Sequence, residues 1–112
     1  MQLEPNDLLK LWRSVMVAAL RKDLPDLTWR QFALLLQIYT SPPPHTVRGL
    51  AQELNMSKPA VTRALDRLEK LDFLRRKVDE TDRRSILIQR SVAGSVFLRE
   101  FADRAGERAG EI

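Results

Sequence analysis

The chain has 112 residues, 44% of them hydrophobic and 30% charged, with a net charge of +4 and no cysteine. That length supports one core of ordinary size. The missing cysteines exclude disulfides, thiolate metal sites and thiol redox chemistry within it. No apolar run is long enough to span a membrane and the N-terminus does not resemble a signal peptide, so a soluble, cytoplasmic protein is expected.

Asn6 is placed to cap a first helix over residues 7–22. Leu8, Trp12, Val15 and Ala19 form one apolar stripe, and Leu9, Met16 and Leu20 widen it beyond a single face. Such a helix is buried on two sides. The second side is met either by a partner subunit or by packing across the helix's own domain. Leu24-Pro25-Asp26 breaks the helix. Thr28 and Gln31 then have capping-box spacing, and Leu27 and Phe32 have that of a hydrophobic staple, for a helix running to about Tyr39. Ser41 and three prolines form a stiff connector. His45, the only histidine, has no metal-ligand partner near it in sequence and is expected in the loop.

Thr46 can cap a short helix carrying Val47, Leu50, Ala51 and Leu54, with Asn55 suited to the left-handed residue that closes it. Ser57 caps the next helix, and Pro59 falls in its first turn. Val61, Ala64, Leu65, Leu68 and Leu71 recur along one face of this helix. Pro59, Thr62, Arg63, Asp66 and Lys70 occupy the other, with Lys58 and Arg67 at its margins. A short helix, a tight turn and a longer helix with a cationic, hydrogen-bonding face have helix-turn-helix order. Taken alone, that longer helix reads as an ordinary amphipathic surface helix, since many surface helices look like it; what surrounds it favours the DNA-binding reading.

Two β-prone runs follow, at residues 74–78 and 85–89, separated by a polar tip over 79–84: a hairpin, or wing. Ser91 can cap a last helix over residues 92–108, with Phe97, Leu98 and Phe101 on its apolar side and residues 109–112 fraying. The charge is uneven. Residues 46–90 hold eleven Lys/Arg against seven Asp/Glu, while the remainder is balanced at eight of each. A local basic excess around a helix-turn-helix is the electrostatic footprint of a nucleic-acid surface.

These motifs together resemble the MarR family of winged-helix transcription regulators. Residues 27–35 (LTWRQFALL) look like its "LTxxQ…L" helix start, 46–54 like its "LAxxL" helix, 57–74 like its "VTRxVDRLExxGLI" recognition helix, 79–84 like its "DxRDxR" wing, and 91–94 like its "TxxG". Thr81 stands where the wing often has arginine, and Asp72 where the turn usually has glycine. One helix follows the wing, where the family commonly has two. The resemblance implies a mainly α (α+β) fold. It is a single winged helix-turn-helix domain over residues 1–112, with a DNA-binding lobe at 28–89 and dimerisation helices at 6–22 and 92–108.

The function implied is sequence-specific double-stranded DNA binding by a homodimer, nucleoid-associated when bound. The recognition helix would enter the major groove and the wing the minor groove. Arg63 and Arg67 suit guanine edges or phosphate, Ser57, Lys58 and Thr62 phosphate or a base edge, and Pro59 lies on the same face. Arg83 and Arg84 suit a narrow minor groove, and Arg48 the backbone. Asp66 is placed to hold Arg63 or Arg67, and Asp82 to do the same at the wing. Leu8, Trp12, Val15, Phe97, Leu98 and Phe101 are the expected dimerisation residues.

Many family members release DNA on binding a small-molecule effector, and Trp12, Trp29 and Tyr39 either line such a pocket or form plain aromatic core. The alternative function is a winged-helix module that binds a protein without specific DNA binding. The basic face weighs against it, because protein interface cores are depleted in charge. No catalytic constellation, metal site or cofactor motif is legible, so an enzyme is not expected.

Overall fold

Proline at the first position of a helix loses no hydrogen bond and arrives with its φ already helical. That is how the first helix begins: α1 spans Pro5–Arg21, with Glu4 at the cap position. Asn6, expected as the cap, lies inside the first turn instead, because Pro5 starts the helix two residues earlier than expected. The computed structural model describes residues 4–110. Six more elements follow: α2 (Trp29–Thr40), α3 (Val47–Leu54), α4 (Lys58–Lys70), β1 (Leu74–Val78), β2 (Ile86–Arg90) and α5 (Val92–Gly110). This is a mainly helical winged helix-turn-helix. Of the residues expected to fray, Ala109 and Gly110 are helical and the last two lie outside the described residues.

The chain divides into two compact units. One holds residues 27–95, and the other combines residues 1–26 with 96–112. In the first, Leu34, Leu35, Ile38, Leu50, Val61, Leu65, Leu68 and Leu74 are fully buried, drawn from α2, α3, α4 and β1. Each of its helix starts is tied down by the residue the sequence singles out. The Gln31 amide donates to Thr28 Oγ1 at 3.1 Å and the Thr28 amide to Gln31 Oε1 at 3.0 Å, completing the capping box. The Gly49 amide donates to Thr46 Oγ1 at 3.0 Å, and the Ala60 amide to Ser57 Oγ at 3.2 Å. Asn55 closes α3 with φ 53°, and Asp72 turns the chain out of α4 with φ 62°. Both residue types tolerate this left-handed conformation better than branched ones do.

β1 and β2 pair antiparallel, with Arg76 opposite Ile88. His45 is only 5% exposed: its carbonyl accepts from the Ile88 amide at 3.0 Å, and Thr46 forms a bridge with Leu87. The histidine belongs to a loop by backbone, as expected, but this pairing draws it into the core.

Where the hairpin meets α5, Tyr39 and Ser91 organise the backbone. Tyr39 Oη donates to the Phe73 carbonyl at 2.6 Å and accepts from the Ser91 amide at 2.9 Å. Ser91 Oγ donates to the Asp72 carbonyl at 2.6 Å and accepts from the Gly94 amide at 3.0 Å, capping α5. Arg90 reaches back to the end of α2, donating to the carbonyls of Ile38 at 3.0 Å and Ser41 at 2.9 Å. Those carbonyls have no partner within the helix and carry the negative end of its dipole. The Arg90 guanidinium also lies 5.7 Å from the centre of the Tyr39 ring.

In the other unit Val15 is buried, while Leu8, Leu9, Trp12, Met16 and Leu20 are exposed. Val15, expected on a dimer face, is therefore covered within this chain. The face α1 leaves open is the wider stripe of Leu9, Met16 and Leu20 together with Leu8 and Trp12. Phe97, Leu98 and Phe101 are half-buried.

Candidate nucleic-acid interface

The burial of Val61, Ala64, Leu65 and Leu68 against the core fixes which side of α4 faces outward. Lys58, Pro59, Thr62, Arg63, Asp66 and Arg67 are all exposed there, beside the capping Ser57. Arg48, on the first turns of α3, is exposed as well. At the wing, Arg83 and Arg84 are exposed in the loop joining β1 to β2. All ten residues belong to the unit formed by residues 27–95, so a shared core holds them in place.

The wing tip is shaped by its own side chains. Asp79 Oδ1 accepts from the Thr81 amide at 3.0 Å and from Thr81 Oγ1 at 2.8 Å. These two bonds, the hydroxyl's first, hold the Asp79 carboxyl below its ordinary value. Asp82 Oδ1 accepts from the Arg84 amide at 3.1 Å, and its Oδ2 from Ser85 Oγ at 3.2 Å. Asp82 thus orders the turn through backbone and hydroxyl bonds, where the sequence suggests an ion pair with an arginine. Thr81 replaces an arginine of the family pattern with a turn-forming hydroxyl.

The acids of α4 also differ from expectation. Asp66 pairs with neither Arg63 nor Arg67. Its Oδ1 lies 2.8 Å from Nη1 of Arg76, which comes from β1. Arg67, the next residue, points to a different side of the helix, and residues one apart do not face each other. Glu69 meets the same guanidinium at 2.6 Å. Burial opposes the charge on Arg76, but hydrogen bonds to Glu69 and then Asp66, with their charges, outweigh it and raise its pKa above the ordinary arginine value. With the acids engaged this way, Arg63, Arg67, Arg83 and Arg84 have no ion-pair partner among the described residues.

Sequence reasoning passes over Arg30. It lines an open groove of about 390 Å³ between the starts of α2 and α4, together with Thr28, Gln31, Ser57 and Arg63. Its signal is a position two residues after a capping threonine, in the exposed first turn of a helix. Of the three aromatic residues considered for an effector pocket, Trp29 is 89% exposed and Trp12 58% exposed, so neither is core. The Tyr39 hydroxyl is engaged by backbone. Among the described residues no cluster of His, Cys, Asp or Glu could hold a metal ion, and no helix is long and apolar enough to cross a membrane.

Residues 27–86 match the MarR family model. The chain belongs to the MarR family. The solved structures agree on the fold. S. aureus MepR in complex with DNA superposes with a TM-score of 0.74 at 24% identity, covering 86% of this chain and 77% of that one. YusO from Bacillus subtilis gives 0.75 at 19% identity over 93% and 71% of the two chains. The transcriptional regulator Tm0710 from Thermotoga maritima gives 0.66 at 28% identity over 93% and 70%. The MarR match spans α2 to the start of β2, the stretch that carries Arg48, Lys58, Arg63, Arg67, Arg83 and Arg84.

Proposed function

We propose that this MarR-family protein is a DNA-binding transcription regulator that recognises a specific double-stranded sequence. α4 lies in the major groove, with Arg63 and Arg67 reading guanine edges or clamping phosphate. Arg83 and Arg84 enter the flanking minor groove, and Arg48, Ser57, Lys58 and Thr62 hold the backbone. The observation that carries this reading is the uncommitted charge on the outer face of α4: Arg63 and Arg67 have no ion-pair partner among the described residues. The DNA complex of MepR, similar in fold, supports it.

The exposed Leu8, Leu9, Trp12, Met16 and Leu20 of α1 support pairing of two copies about a two-fold axis. Two copies would address half-sites about 10 base pairs apart or a multiple of that. The test is selection of duplexes from a random pool, followed by fluorescence anisotropy on the enriched sequence. Arg63→Ala should weaken specific binding by about 1–3 kcal/mol and relax preference at one position. Affinity should fall steeply with salt as counterion release loses its drive. Failure to enrich any sequence, with binding insensitive to salt, points instead to a winged-helix module for protein partners.

A further inference from the structure

Arg76 stands on the inward face of the hairpin, opposite the buried Ile88, yet no part of the core needs a charge there. Its side chain runs to α4. Nη1 meets Asp66 Oδ1 at 2.8 Å, Nη2 meets Glu69 Oε1 at 2.6 Å, and Nε donates to the same Glu69 oxygen at 2.8 Å. Its backbone amide donates to Glu69 Oε2 at 3.2 Å. One residue of the wing therefore grips two carboxylates of the helix that carries Arg63 and Arg67.

Asp66 is one turn beyond Thr62 and Arg63 on α4, and its side chain is 52% exposed. An uncompensated carboxylate at that place repels the phosphates Arg63 attracts. Asp66 and Glu69 together would reverse much of the local positive charge. Arg76 sits behind them, with its side chain only 27% exposed. It is poorly placed to reach DNA itself and well placed to neutralise what would.

We propose that Arg76 is a positioning residue for DNA binding. It screens Asp66 and Glu69 from the phosphates that the outer face of α4 approaches. The proposal rests on the DNA-binding reading above. It predicts that a residue with no DNA contact controls affinity, and that its loss is repaired by removing the acids it screens.

The experiment uses the full chain and a duplex enriched by selection with the wild type. Fluorescence anisotropy is measured for Arg76→Gln, for the pair Asp66→Asn with Glu69→Gln, and for the triple variant, with far-UV circular dichroism on each. Arg76→Gln should bind about tenfold more weakly, since exposed like charges a few ångströms from a phosphate cost about that much. The triple variant should return to within about threefold of wild type, because the neutral amides need no screening. The double variant, which keeps Arg76, should bind at least as tightly as wild type. That arm stands alone if Arg76→Gln does not fold.

A tenfold loss that the triple variant does not repair would make Arg76 a direct phosphate contact and overturn the proposal. Unchanged affinity in Arg76→Gln would overturn it while leaving the DNA-binding reading intact. A double variant that binds clearly less well than wild type would also overturn it. A wild type that enriches and binds no duplex removes both together.

Discussion

Gly94 is a position where one methyl group should be felt across the winged lobe. A Cβ built there would fall inside the van der Waals envelopes of Tyr39 Oη and the Phe73 carbonyl oxygen, and 2.8 Å from Tyr39 Cζ. The carbonyl cannot swing away, because it is backbone and accepts the Tyr39 hydroxyl at 2.6 Å. Gly94→Ala must therefore displace α5 or the tyrosine. Overpacking of this kind costs about 1–3 kcal/mol. Displacing the tyrosine also strands the Ser91 amide, which donates to its hydroxyl at 2.9 Å, adding about 1–3 kcal/mol. The expected loss is about 2–6 kcal/mol, which at a urea dependence of about 2 kcal/mol per molar moves the midpoint down by about 1–3 M.

Circular dichroism at 222 nm is the suitable probe, since Trp12 and Trp29 are largely exposed already and their fluorescence reports unfolding weakly. Tyr39→Phe should lose about 1–3 kcal/mol by itself. Combined with Gly94→Ala it should lose less than the sum, because the phenyl ring removes the clash with the hydroxyl, one of three close approaches. A Gly94→Ala midpoint within about 0.2 M of wild type would refute the packing account, being under the ~0.5 kcal/mol typical of neutral surface changes.

Replacing Arg83 and Arg84 together with Ala should weaken duplex binding by anisotropy while shifting stability by no more than about 0.5 kcal/mol in a urea melt, since both are exposed and have no ion-pair partner among the described residues. Unchanged binding would make the wing purely structural. Trp12→Glu places a charge on the exposed face of α1, so sedimentation equilibrium should show a shift from dimer to monomer and operator affinity should fall with it. A wild type that sediments as a monomer at micromolar concentration and binds a single half-site at full strength would rule that assembly out.

Local chemistry made most of the fold legible. Thr28, Thr46, Ser57 and Ser91 cap through bonds to residues three away, and all four bonds form. Such contacts depend on spacing alone. The buried face of α4 follows from helical periodicity, except that Leu71 at its end is only half-buried. Residues whose partners lie far along the chain were not legible. Strand alternation puts Arg76 of the run Arg75-Arg76-Lys77 on the face of Leu74, but nothing in that run tells that two acids of α4 meet its charge. Asp66 pairs across ten residues of sequence, so the short-range pairing expected for it lost to tertiary packing. His45 was hidden for the same reason: its burial depends on a pairing with β2 that its own neighbours, mostly proline, do not announce. The ten candidate DNA residues are exposed, and whether each touches a duplex is decided by the partner.

A two-stranded sheet has two raw edges, each able to recruit a strand from another molecule. At the midpoint of this hairpin both outward amides are already taken. That of Ile88 goes to the His45 carbonyl on one side, and that of Arg76 to the Glu69 carboxylate on the other. A chain arriving to extend the sheet would meet no free donor there, and along β1 it would also meet the exposed charges of Arg75 and Lys77. Edge-to-edge pairing is therefore obstructed at the middle of the wing, where a joining strand would need those donors.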